Sequence, residues 1–187
     1  MNLKSKLEIL GAKFIENCDF FEDVIKNLQL KSDSLILDIG TGRGKMAILL
    51  ALYGFSVITG EPEGDNWADW QDNAQKLGVL SQIQFRNFTA EKLPFKDNSF
   101  NAVFALSSFH HFSDKPKALS EMSRIIKPDP NGIIVIFEYT EIGIENIRKK
   151  YPGHPDATNP LDFIGKLPLK AKIEKSELIN AYILKKK

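Results

Sequence analysis

At 187 residues with 43% hydrophobic content, the chain can bury one sizeable core and falls short of two ordinary domains with separate functions. A net charge of +1, from 25 basic and 24 acidic side chains, gives no whole-protein positive field to attract nucleic acid. The single cysteine, Cys18, excludes an internal disulfide. No run approaches the roughly 18 apolar residues of a membrane span, so a cytoplasmic chain without an export leader is expected.

Phe14, Cys18, Phe21, Ile25 and Leu28 recur at alternating spacings of four and three. This pattern predicts one amphipathic helix that covers a core and buries Cys18. Leu35 to Ile39 reads as a short strand, Gly40 to Gly44 as a tight turn, Lys45 to Tyr53 as a helix and Phe55 to Thr59 as a second strand. Trp67 to Leu77 reads as a helix ended by Gly78, with Trp67 and Trp70 as packing residues, and Ile83, Phe85 and Phe88 mark a third strand. The turn Asp97-Asn98-Ser99 precedes a strand over Ala102 to Leu106. Lys115 to Ile126 forms a helix with Pro116 in its first turn, and Asn131-Gly132 leads into a strand over Ile133 to Phe137.

Five strands separated by helical segments predict an α/β fold with a parallel, doubly wound sheet. Within this single domain, residues 1–30 form a covering helix, 31–140 a ligand-binding core and 141–187 a loop followed by strands. The loop, Tyr151 to Pro160, holds Pro152, Pro155 and Pro160 and is a candidate lid or an inert connection. Ala171 to Leu184 supplies two short edge strands. Residues 141–187 hold 10 basic against 6 acidic residues, a mild basic tilt whose end, Lys185 to Lys187, reads as a solvated tail.

The turn after the first strand is the usual ligand cradle of such sheets. Gly40, Gly42 and Gly44 are evenly spaced, whereas a dinucleotide-binding turn wants its third glycine three residues after the second. A nicotinamide-dependent oxidoreductase is thereby disfavoured. Glu61, roughly 20 residues on, ends the second strand, where a carboxylate can accept both ribose hydroxyls. A ribose reader and a glycine turn without pyrophosphate spacing point to a nucleoside lacking the diphosphate, and S-adenosylmethionine is such a ligand.

LDIGTGRG at 37–44, Glu61, AEKLPFKDNSFNAVFALSSFHHF at 90–112 and ALSEMSRIIKP at 118–128 together resemble the class I S-adenosylmethionine-dependent methyltransferases, in particular the branch of the ubiquinone and menaquinone biosynthesis enzymes. The resemblance covers about residues 30 to 140. It implies a Rossmann-like sheet of about seven strands, mostly parallel with the last strand antiparallel, and helices on both faces. It also implies that Asp38, Gly40, Thr41, Gly42 and Gly44 face the methionine end of the cofactor, and that Glu61 and Pro62 lie at its ribose. Thr89, Ala90 and Glu91 would lie near the adenine, and Leu106 is a further cofactor-binding residue. Thr89 departs from the family, which usually has Asp there, and EPEGDNWADW continues the second strand unusually. Both departures support the alternative of a non-catalytic cofactor-binding or regulatory module.

Methyl transfer needs alignment and exclusion of water more than a dedicated base. For a hydroxyl or activated-carbon acceptor, His110 and His111 follow the fourth strand at the ligand end and are the candidates for base or orienter. With three histidines, one cysteine and no zinc-like spacing, no metal is expected; His154 and Asp156 alone make no site. The amide- and adenine-nitrogen signature is replaced by SSFHH. The expected partners are therefore a small-molecule methyl acceptor and at most a second copy of the chain, with no nucleic acid.

Overall fold

The computed structural model describes residues 3–64, 70–128, 130 and 132–187. A seven-stranded sheet runs through it in the order β3-β2-β1-β4-β5-β7-β6. The strands are β1 (Leu35–Ile39), β2 (Ser56–Glu61), β3 (Ile83–Asn87), β4 (Ala102–Leu106), β5 (Ile133–Tyr139), β6 (Leu169–Glu174) and β7 (Ile179–Lys186). The first five pair in parallel, and β7 inserts antiparallel between β5 and β6. The expected Rossmann-like sheet is therefore present, with its last strand reversed.

Residues alternate between the two faces of each strand. Ile36, Val57, Phe104, Val135 and Phe137 belong to one buried cluster with the N-terminal helices and α4 (Lys45–Leu52). Leu37, Val103, Ala105, Ile134 and Ile136 belong to the other, against α6 (Lys115–Ile125). Burial of both faces explains why β1, β4 and β5 read as apolar runs.

The predicted single covering helix is three: α1 (Leu3–Leu7), α2 (Ala12–Glu16) and α3 (Cys18–Asn27). One break lies between Leu7 and Ala12, at a 3-10 turn (Glu8–Leu10) and Gly11 with a φ of 97°, and the other at Asn17, whose side chain donates to the Lys13 carbonyl at 3.0 Å. Because α3 resumes one residue later, Phe14 and Phe21 still stack, with ring centroids 5.4 Å apart, and Phe21 meets Phe137 edge-on. Cys18 is fully buried; its thiol approaches Glu22 Oε1 at 3.5 Å, and burial with that carboxylate pushes it up to about 12.

The second helix is described from Trp70 to Lys76 (α5); Trp67 lies outside the described residues. Trp70 packs as expected, stacked on Phe85 at 5.9 Å. The segment after β5 forms α7 (Glu141–Arg148), capped by Thr140 Oγ1 accepting from the Gly143 amide. Among the described residues no helix is long and apolar enough to cross a membrane.

Candidate active site

At the carboxyl end of β1 the chain turns through Gly40, Gly42 and Gly44, all with positive φ. The Gly40 and Thr41 amides donate to the Gly60 carbonyl at 3.0 and 3.3 Å, tying the turn to β2. A Cβ at Gly40 would lie 2.5 Å from Ser108 Cβ, whereas one at Gly42 would meet nothing within 4 Å. Gly40 is thus demanded by packing, and Gly42 has open space on the side where a Cβ would stand.

Asp38 is 1% exposed. Its Oδ2 accepts from Thr59 Oγ1 at 2.8 Å, and Thr59 Oγ1 lies 2.8 Å from Thr41 Oγ1. Asp38 Oδ1 is buried with no partner. Burial pushes the carboxyl up to about 8, with the charge of Glu61 adding and the Thr59 hydrogen bond opposing. Glu61 Oε1 accepts the Gly42 amide at 2.6 Å, and Asn87 Nδ2 reaches the Glu61 and Pro62 carbonyls at 3.4 and 3.5 Å. Asp38, Gly40, Thr41, Gly42, Gly44, Glu61 and Pro62 are therefore brought together around one turn.

The proposed adenine residues are less uniform. Thr89 is exposed and bridges to Lys92, while Ala90 is buried in the core. Glu91 Oε1 accepts from Ser113 N, Ser113 Oγ and Asp114 N, at 2.9, 3.0 and 3.2 Å. That carboxylate holds the loop before α6 and so has a structural task. Leu106 ends β4, half-buried, opposite Phe137.

Beyond Leu106 the chain bends sharply. Ser107 has a φ of 51° and donates its amide to the Phe137 carbonyl at 2.8 Å. Ser108 Oγ donates to the Ile39 carbonyl at 2.8 Å. This anchoring delivers a 3-10 turn, Phe109–His111, to the ligand end of the sheet. His110 and His111 differ there. His110 is buried, with Nδ1 2.7 Å from Glu138 Oε2 and Nε2 unpartnered. His111 is exposed, yet partial desolvation, aided by the neighbouring His110, His154 and Lys115, lowers it to about 4.

Sequence reasoning missed Glu138. It is 1% exposed, and its Oε1 also accepts the Phe109 and His110 amides at 2.8 and 3.3 Å. The available signal was an acidic residue inside the otherwise apolar strand IIVIFEY, since a buried carboxylate requires hydrogen-bond partners. His154 and Asp156 do not form a pair. Asp156 Oδ1 accepts from Arg148 Nη2 at 2.6 Å, and His154 turns instead toward His110 and His111. The fold gathers all three histidines, with ring centroids 4.1, 4.9 and 5.8 Å apart.

A cavity of about 300 Å³ lies beside the N-terminal helices, lined by Lys13, Asn17, Tyr139, Asn146 and Leu178 among others. It shares no residue with the glycine turn, although Tyr139 ends β5 at the same side of the sheet.

Residues 37–136, more than half of the chain, match the model of a family described as a methyltransferase domain. The chain belongs to the class I S-adenosylmethionine-dependent methyltransferase family. This methyltransferase domain is 33% identical over 112 residues to the uncharacterized methyltransferase YcgJ of Bacillus subtilis, covering 60% of this chain and 44% of that protein. It is 28% identical over 127 residues to the ubiquinone/menaquinone biosynthesis C-methyltransferase UbiE of Klebsiella pneumoniae, covering 64% and 48%. The domain thus spans about half the length of the curated relatives it matches.

In three dimensions it superposes on the PH0226 protein of Pyrococcus horikoshii with a TM-score of 0.77 at 18% identity, covering 96% and 94% of the two chains. The YcgJ structure gives a TM-score of 0.70 at 20% identity, covering 89% and 97%. At these identities the likeness is one of fold.

The residues present fit the family's cofactor. An unpartnered buried carboxyl oxygen on Asp38 suits an ammonium group, whose charge would favour the ionised form of the acid. Open space above Gly42 suits a ligand lying across the turn, and Glu61 borders that space.

Proposed function

We propose that the chain transfers a methyl group from S-adenosylmethionine to a small-molecule acceptor. The observation that carries this reading is the buried Asp38 carboxyl, with one oxygen held by Thr59 and the other without a partner beside an open glycine turn. Asp38 would take the cofactor's ammonium, Gly40 to Gly44 its methionine end and Glu61 its ribose. Bound there, the cofactor supplies an electrophilic methyl on a positively charged sulfur.

The chain's own contribution is placement and shielding. His110 is the better suited of the two histidines to accept a proton, through Nε2. Glu138 on Nδ1 fixes the tautomer that leaves Nε2 with its lone pair. His111, lowered to about 4, is a neutral and weak base at pH 7.

The test is the thermal midpoint with S-adenosylmethionine, S-adenosylhomocysteine and NAD added separately. A ligand that binds only the folded state raises it by mass action. A rise with the first two and none with NAD is expected; no rise with either adenosyl ligand overturns the reading. Transfer of a labelled methyl group to any small acceptor then separates catalysis from the non-catalytic alternative.

A further inference from the structure

We propose that His110, His111 and His154 form a binding site for a divalent transition-metal ion, with zinc as the best-matched ion. One ring nitrogen from each lies within 4.8 Å of the others, and the ring centroids are 4.1, 4.9 and 5.8 Å apart. Zinc–nitrogen bonds of about 2.0–2.1 Å in a tetrahedron place ligand nitrogens roughly 3.4 Å apart. Reaching that spacing from 4.8 Å takes turns and shifts of the rings of about 1 Å, with the His110 and His111 rings, 4.1 Å apart, opening toward the roughly 5 Å between ring centres that a shared ion sets. Imidazole is a preferred zinc ligand, and three histidines with an open fourth position are a known catalytic zinc arrangement.

The surroundings are those of a metal site. His110 Nε2 is buried and has no hydrogen-bond partner in the fold. Its other nitrogen is held by Glu138 at 2.7 Å, the carboxylate–histidine pairing that orients a metal-binding imidazole and strengthens it as a ligand. His154 Nδ1 lies 3.1 Å from the Pro155 carbonyl, which favours the tautomer with its Nε2 lone pair available. The loop carrying His154 is itself pinned: Arg148 Nε and Nη2 donate to the His154 carbonyl at 2.9 and 2.8 Å, and Nη2 donates to Asp156. Lys115, the cation beside the cluster, is engaged with the Phe112 carbonyl at 2.9 Å and stands over the Phe163 ring.

Three neutral imidazoles leave the ion's double charge to be offset by Glu138 and by a ligand in the fourth position, a water or an oxygen-bearing small molecule. With an ion bound, His110 Nε2 is a ligand and no longer a proton acceptor. The ion also fastens the 151–160 loop to the turn after β4, which turns a surface connection into a fixed wall.

The experiment is titration of chelator-stripped protein with zinc and with cobalt(II), without cofactor or acceptor, so that its result is independent of the methyl-transfer reading. Wild type is expected to bind one ion per chain, to develop the intense visible absorption of four- or five-coordinate cobalt, and to gain a zinc-dependent rise in thermal midpoint. H154A and H154Q, altered in a surface loop, should keep the stripped protein's midpoint and lose at least about 100-fold in zinc affinity. E138Q should lose about 10- to 100-fold. Absence of stoichiometric binding, or equal binding by wild type and both His154 variants, overturns the proposal.

Discussion

Replacing Asp38 by Asn isolates the cost of burying a carboxyl with one partner. Burial pushes Asp38 from 3.8 up to about 8, so between these values the folded chain holds a proton that the unfolded chain has released. Stability from this group is full below about pH 4 and is lost as pH rises to about 8, above which it stays level. At about 1.4 kcal/mol per pH unit the loss reaches at most about 6 kcal/mol, with about 4 of it between pH 5 and pH 8. That is large against the 5–15 kcal/mol typical of a whole domain.

Asparagine keeps the shape, can accept from Thr59 and carries no titrating proton. Urea unfolding of wild type and D38N at pH 5, 6, 7 and 8 cancels the other groups in the difference. The wild type should lose several kcal/mol relative to the variant over that range. A difference constant to within about 0.5 kcal/mol would refute the burial argument.

Three further outcomes follow from the same geometry. G40A should lose about 2–5 kcal/mol in urea unfolding, from the left-handed backbone and the collision with Ser108. E61Q should weaken S-adenosylhomocysteine binding about 10- to 100-fold by calorimetry, the worth of hydrogen bonds to a charged group, with little change in urea midpoint. E138Q should lower turnover about 100-fold with a smaller change in cofactor affinity, because His110 loses the partner that sets its tautomer.

The parallel strands were legible because both faces are buried: Ile36, Val103 and Ile134 are all apolar on whichever side they fall. β6 was hard to read for the opposite reason. It lies at the sheet edge with Lys170, Ala171, Lys172 and Ile173 exposed in succession, so it shows no alternation; charges at such an edge discourage pairing with another chain. The break at Asn17 was invisible because the apolar spacing runs on across it. At the site, Asp38, Gly40 and Glu61 are local to one β-α-β unit and were found by spacing. His154 stands 43 residues from His111 in the sequence, and Glu138 lies in β5 whereas His111 is in the turn after β4 and His154 in a loop, so their meeting depends on the order of the strands.

Cys18 gives the cover formed by the first three helices a built-in clock. It is the chain's sole thiol, fully buried and pushed up to about 12, so a thiol reagent finds almost no accessible thiolate while α3 lies on the sheet. Modification must wait for that helix to lift away. Its rate under native conditions, compared with the rate of complete unfolding, therefore reports how often the cover departs while the sheet and glycine turn beneath it remain folded.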